Sequence, residues 1–144
     1  MHHIEQYENA IQCFNESISI KPSKEAYVYK AYSLEKLGDY NNAIECYDRA
    51  INLDTSYEIA YNCKGQLLCF IERFEEAKDY FEKAISIMPN YADAYYNIAL
   101  MHAKIGEIDN AIDFLKKAIE IDEEFLYYAV DEKLFKGKDF KFLV

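Results

Sequence analysis

Large and small apolar positions recur along this chain in a fixed order that returns three times with a period of 34 residues. Each cycle opens on an aromatic residue (Tyr27, Tyr61, Tyr95) and places a small one four positions later (Ala31, Gly65, Ala99). Tyr27, Ala31, Leu34 and Leu37 advance in steps of four and three, the stripe of an amphipathic helix. Tyr61, Gly65, Leu68 and Ile71 repeat the stripe, as do Tyr95, Ala99, His102 and Ile105. After a turn comes a second stripe: Tyr40, Ala43, Tyr47, Ala50 and Ile51, then Phe74, Ala77, Phe81, Ala84 and Ile85, then Ile108, Ala111, Leu115, Ala118 and Ile119. Gly38 and Gly106 stand at two of the turns, where a helix end favours the left-handed conformation; Glu72 stands at the third, and slight strain is expected there. The second helices end near Asp54, Pro89 and Asp122.

Small residues opposite large ones let two helix backbones approach until the ring fills the gap. The order of large, small, turn, small, large, small resembles the tetratricopeptide repeat, an aromatic and a Gly or Ala on one helix, then Ala, aromatic, Ala and a terminal Pro on the next. The resemblance implies an all-α solenoid of antiparallel helix pairs, a single domain over residues 1–144. Its full repeats are 24–57, 58–91 and 92–125. Upstream, Tyr7, Ala10, Phe14, Ser17 and Pro22 match a second helix alone, a half repeat over 4–23. Ala10 lies 33 residues before Ala43, so one residue is missing from the linker after Pro22. Downstream, Phe125, Leu126, Ala129, Val130 and Leu134 outline a further helix without the repeat signature. Residues 126–144 are therefore read as a capping helix and tail, broken at Gly137, with a closing turn over Asp139 to Leu143.

Composition narrows the function classes. The net charge is -10, with a sequence pI near 4.7 and no long basic run, which argues against nucleic-acid binding. No stretch approaches the roughly 18 uninterrupted apolar residues of a membrane span. The four cysteines (Cys13, Cys46, Cys63, Cys69) form no CxxC pair and have no companion histidines at zinc spacing. A reducing, cytoplasmic setting is expected, without metal or cofactor. Cys13 and Cys46 share one repeat position and are read as packing residues.

No catalytic constellation stands out, and the expectation is a protein that is not an enzyme. His2 and His3 read as a frayed tail. His102 replaces Leu34 and Leu68 on an inward stripe and reads as a packed, hydrogen-bonded residue. Glu72, Glu75, Glu76, Asp79 and Glu82 mix in helical phase with Arg73, Lys78 and Lys83, a solvated, salt-bridged face. Lys133, Lys136, Lys138 and Lys141 read as cap surface, with an acidic partner as the weaker alternative.

By the resemblance, the first helices line a concave groove whose outward residues choose a protein or peptide partner. Carried over, the groove positions include Tyr29, Tyr32, Phe70, Tyr96 and Leu100 as apolar anchors, with Asn62, Gln66 and Asn97 as orienting groups. The bland alternative is that the tyrosines only cover neighbouring helices. One subclass of the family clamps acidic chaperone tails with lysines, asparagines and an arginine; the matching sites here hold Val28, Tyr32, Cys63, Asp93 and Asn97, so that ligand is disfavoured. Two rival readings stay open: a structural module that homodimerises through the N-terminal half repeat, with Tyr7 and Phe14 near a two-fold axis, and the interaction segment of a longer enzyme or regulator.

Overall fold

A computed structural model of the chain describes residues 2–136. Among them are eight α-helices and one short 3-10 turn: α1 (His2–Ile20), α2 (Lys24–Lys36), α3 (Tyr40–Leu53), α4 (Glu58–Phe70), α5 (Phe74–Ile87), α6 (Ala92–Lys104), α7 (Ile108–Ile121), α8 (Glu124–Asp131) and Lys133–Phe135. Helices α2 and α3, α4 and α5, and α6 and α7 pair as the antiparallel halves of three repeats, and each pair stacks on the next. The result is an all-α solenoid.

The alternation of large and small residues explains the close pairing. Ala31, Ala43 and Ala50 are fully buried around Tyr47, as are Ala77 and Ala84 around Phe81, and Ala99, Ala111 and Ala118 around Leu115. The same registry recurs at the turns. Gly38 and Gly106 adopt positive φ (80° and 85°), and Glu72 adopts φ 62°, the only non-glycine to do so among the described residues. The sequence asks this turn of a residue with a Cβ, and the backbone complies. Ser23 caps α2 by accepting a hydrogen bond from the Ala26 amide, and Asp39 caps α3 by accepting from Asn42.

Polar groups inside the array are paired. Lys64, buried on α4, donates to Asp48 of α3 at 2.5 Å and to the Tyr80 hydroxyl of α5 at 2.6 Å, tying two successive second helices. Burial pulls its ammonium pKa down, but the bonds to Asp48 and Tyr80 outweigh this and leave it raised. The carboxylate-rich stretch on α5 is a solvated face, with Arg73 paired to Glu76 and Lys78 to Glu82.

Both ends depart from the expected layout. The segment after Phe125 is not one helix to Leu134: α8 stops at Asp131, Glu132 turns extended (φ −74°, ψ 125°), and the 3-10 turn follows. That break lets Phe135, which the periodicity left unassigned, bury completely in the same cluster as Leu115 and Phe125. Cys13 is exposed rather than packed, whereas Cys46 is buried. The two share a repeat position, but no described helix covers the outer face of α1, and none of its residues is buried. The expected break at Gly137 and the closing turn over Asp139 to Leu143 lie outside the described residues.

Candidate peptide-binding groove

The first helices α2, α4 and α6 supply the groove residues, and their stacking decides which of them reach solvent. On α2, Tyr29 is 58% exposed and Tyr32 49%. Each uses one ring face on α1: Tyr29 stacks on Phe14 at 5.9 Å, and Tyr32 meets Tyr7 edge-on at 6.5 Å. They therefore cover a neighbouring helix and also present surface. Lys36 lies over the Tyr32 ring at 4.9 Å. On α4, Phe70 is 63% exposed and leans on Tyr40. On α6, Tyr96 and Leu100 are half-buried, Tyr96 against Phe125 and Tyr128 of α8.

Two of the three amides depart from the expectation. Asn62 and Asn97 are buried, not outward-facing. Asn97 Nδ2 donates to Asn62 Oδ1 at 2.9 Å, Asn62 Nδ2 donates to the Tyr91 hydroxyl at 3.3 Å, and Gln66 Nε2 donates to Asn97 Oδ1 at 3.2 Å. The close approach of α4 and α6 turns these positions into an inter-repeat ladder, and Gln66 alone of the three stays exposed.

Two adjoining cavities share Gln66, Asn97 and Leu100. One, about 290 Å³, is bounded by Phe70, Met101, Lys104, Glu132 and Leu134. The other, about 440 Å³, is bounded by Asp93, Tyr96, Asp122, Glu124, Phe125 and Tyr128. The first is mainly apolar with one charge of each sign; the second carries three carboxylates. The residues contributed by α8 and the 3-10 turn were absent from the sequence reading of the groove. Their only advance signal was the aromatic density of Phe125, Tyr127 and Tyr128.

The surface offers little covalent chemistry. Burial pushes the Cys63 thiol up to about 12 and the Cys69 thiol up to about 11, so both stay protonated and unreactive at neutral pH. His102 stacks on Phe114 at 5.3 Å, and its Nδ1 lies 2.6 Å from Glu107 Oε2, an arrangement that packs the ring. Among the described residues, no group of three or more His, Cys, Asp or Glu side chains could hold a metal ion, and no helix is long and apolar enough to cross a membrane.

Family sequence profiles agree with this architecture. Profiles of the tetratricopeptide repeat match residues 56–124 and 2–24, and a further profile, also of that repeat, matches 32–69. The chain belongs to the tetratricopeptide repeat family. No curated protein matches it in sequence. Among solved structures, it resembles MamA at 29% identity and TM-score 0.73, over 85% of this chain and 72% of MamA. It also resembles YrrB, a tetratricopeptide repeat protein with an unusual peptide-binding site, at 25% identity and TM-score 0.73, over 87% of this chain and 66% of YrrB.

Proposed function

We propose that this chain is a protein-interaction scaffold that holds an extended peptide or a helix of a partner along its concave face. The observation that carries the reading is a set of exposed or half-buried apolar side chains on the first helices, Tyr29, Tyr32, Phe70, Tyr96 and Leu100, the last three of which border two cavities that share Gln66, Asn97 and Leu100. Binding energy concentrates in a few aromatic anchors set in such pockets. Gln66 orients the ligand backbone, while Asn62 and Asn97 form the floor beneath it. The acidic Asp93, Asp122 and Glu124 favour a ligand with basic residues flanking its apolar ones. Similarity to YrrB supports peptide binding as the mode.

The test is selection from a random peptide display library, followed by titration of the selected peptide. Phe70→Ala and Tyr29→Ala should each weaken binding about tenfold or more, at unchanged helicity. Unchanged affinity in both, with loss on substitution of Glu82 on the opposite helix layer, would move the binding surface elsewhere.

A second reading is a two-fold homodimer through α1. It is favoured by one observation: no residue of α1 is buried, and Ile4 and Ile20 are 53% and 87% exposed. Light scattering at high micromolar concentration decides it, and a monomer excludes it.

A further inference from the structure

Successive interfaces between second helices are filled differently. Lys64 of α4 meets Asp48 at 2.5 Å and lies over the Tyr80 ring at 4.2 Å, and that ring leans on Tyr61 at 6.2 Å. One repeat earlier the matching positions hold Lys30 for Lys64, Tyr27 for Tyr61, Cys46 for Tyr80 and, in the register that aligns Ala10 with Ala43, Asn15 for Asp48. The cation and the first ring are kept, while the carboxylate and the second ring are gone. In their place is a cavity of about 500 Å³ between α1, α2 and α3, lined by all four of these residues. Lys30 is half-buried there and, among the described residues, makes no ion pair and no hydrogen bond. Arg49 and Glu45, also on the wall, pair with each other at 3.6 Å, so the cavity keeps one uncompensated positive charge.

We infer that this cavity binds a small aromatic carboxylate, whose ring takes the place of Tyr80 against Tyr27 and whose acid group takes the place of Asp48 on Lys30. The volume falls within the range of about 300–1,000 Å³ of small-molecule sites. The thiol of Cys46 occupies far less space than the phenol of Tyr80, which leaves room for a ring beside Tyr27. An ammonium group half withdrawn from water gains a charge-assisted bond from an arriving carboxylate. Asn15 offers an amide where Asp48 offers an anion, so this position has changed from supplying the negative charge to receiving one. At the third interface Ile98 stands where the lysine would, in one cluster with Phe114, and no charge calls for a partner. None of the lining residues is shared with the cavities beside Leu100, so the site stands apart from the groove.

Titration of the full chain with phenylacetate, followed by methyl and aromatic nuclear magnetic resonance shifts, tests this. Saturable shifts of the Tyr27 ring and of the Ile11 and Leu34 methyl groups are expected. For a ligand of about ten heavy atoms, the Kd should lie at about 0.1–1 mM. K30M keeps the aliphatic stem, drops the charge and should weaken binding about tenfold or more. Benzyl alcohol, a ring without the acid, and acetate, an acid without the ring, should each bind about tenfold more weakly than phenylacetate. N15D/C46Y restores the carboxylate and phenol of the next interface; it should abolish the shifts and raise the thermal midpoint, because the chain's own groups then fill the site. K30M and the two half-ligands decide the matter if that variant does not fold. No saturable shift up to about 10 mM, or parent-like affinity in K30M, overturns the inference. So does acetate binding as tightly as phenylacetate, which would leave an anion contact alone, and so do shifts confined to Leu100 and Met101, which would place the ligand in the groove.

Discussion

Gly65 stands so close to Phe81 that a Cβ built on it would lie 2.6 Å from Cε1 of the ring. The equivalent pairs in the neighbouring repeats are Ala31 with Tyr47 and Ala99 with Leu115, so the middle repeat has drawn its helices together around a smaller residue. Gly65→Ala gains about 1 kcal/mol in helix propensity but overpacks a fully buried ring, which costs about 1–3 kcal/mol. The net outcome is destabilisation, read as a lower urea midpoint. Adding Phe81→Leu, the pairing of the third repeat, should restore most of the loss; if it deepens the loss instead, the contact is not the cause.

The turn at Glu72 offers the opposite change. A left-handed backbone costs a residue with a Cβ about 1–2 kcal/mol, whereas glycine gives back up to about 1 kcal/mol through its greater freedom when unfolded. Glu72→Gly should therefore stabilise the array by about 0.5–1 kcal/mol, as Gly38 and Gly106 do at the matching turns. A thermal midpoint that falls would show that the Glu72 side chain contributes more than its backbone costs.

The amide ladder between α4 and α6 should respond to truncation. Asn97→Ala leaves the Asn62 carbonyl oxygen without its partner in a buried site, a loss of about 1–3 kcal/mol. In a double-mutant cycle, Asn62→Ala and Asn97→Ala should be strongly non-additive, because each removes the same bond. Additive losses in chemical denaturation would mean that the two amides act independently.

Glu35 gives the fold a pH dependence of known sign. It accepts a hydrogen bond from the Tyr47 hydroxyl, yet burial dominates and raises its carboxyl pKa above the ordinary value. The folded state thus holds this proton more tightly than the unfolded state. The contribution is complete below the unfolded pKa of about 4.3 and is lost as pH rises through the higher folded value. Glu35→Gln, which stays neutral, should gain in urea midpoint relative to the parent as pH moves from about 4 to 7. A gap that stays constant across that range would place the titration elsewhere.

Repetition is what made most of the fold readable. Three copies of one pattern fix helix pairing, turn position and the odd status of Glu72, because a solenoid reuses one local packing problem. The groove was readable only as a set of positions. Side-chain fate there depends on how closely α4 approaches α6, a distance that the spacing of Asn62 and Asn97 does not encode. Lys64 was hidden for a related reason: its repeat equivalents are Lys30 and Ile98, and only the three-way meeting with Asp48 and Tyr80 lets an ammonium group be buried. At the C-terminal end no second copy existed for comparison, so the break at Glu132 and the anchor at Phe135 had no template.

The helices of this array touch chiefly their neighbours in sequence, and that locality governs how the molecule comes apart. Contacts between residues near in the chain form quickly and need little loop closure, so folding should be fast for the chain's length. The same locality removes any single event that must break everything at once. With no buried residue, α1 can detach while Leu67, Leu68 and Phe81, at most 1% exposed in the middle repeat, stay packed. Amide hydrogens should then exchange in a graded order, α1 first and the α4–α5 pair last, and the chain should melt by fraying inward rather than in one step.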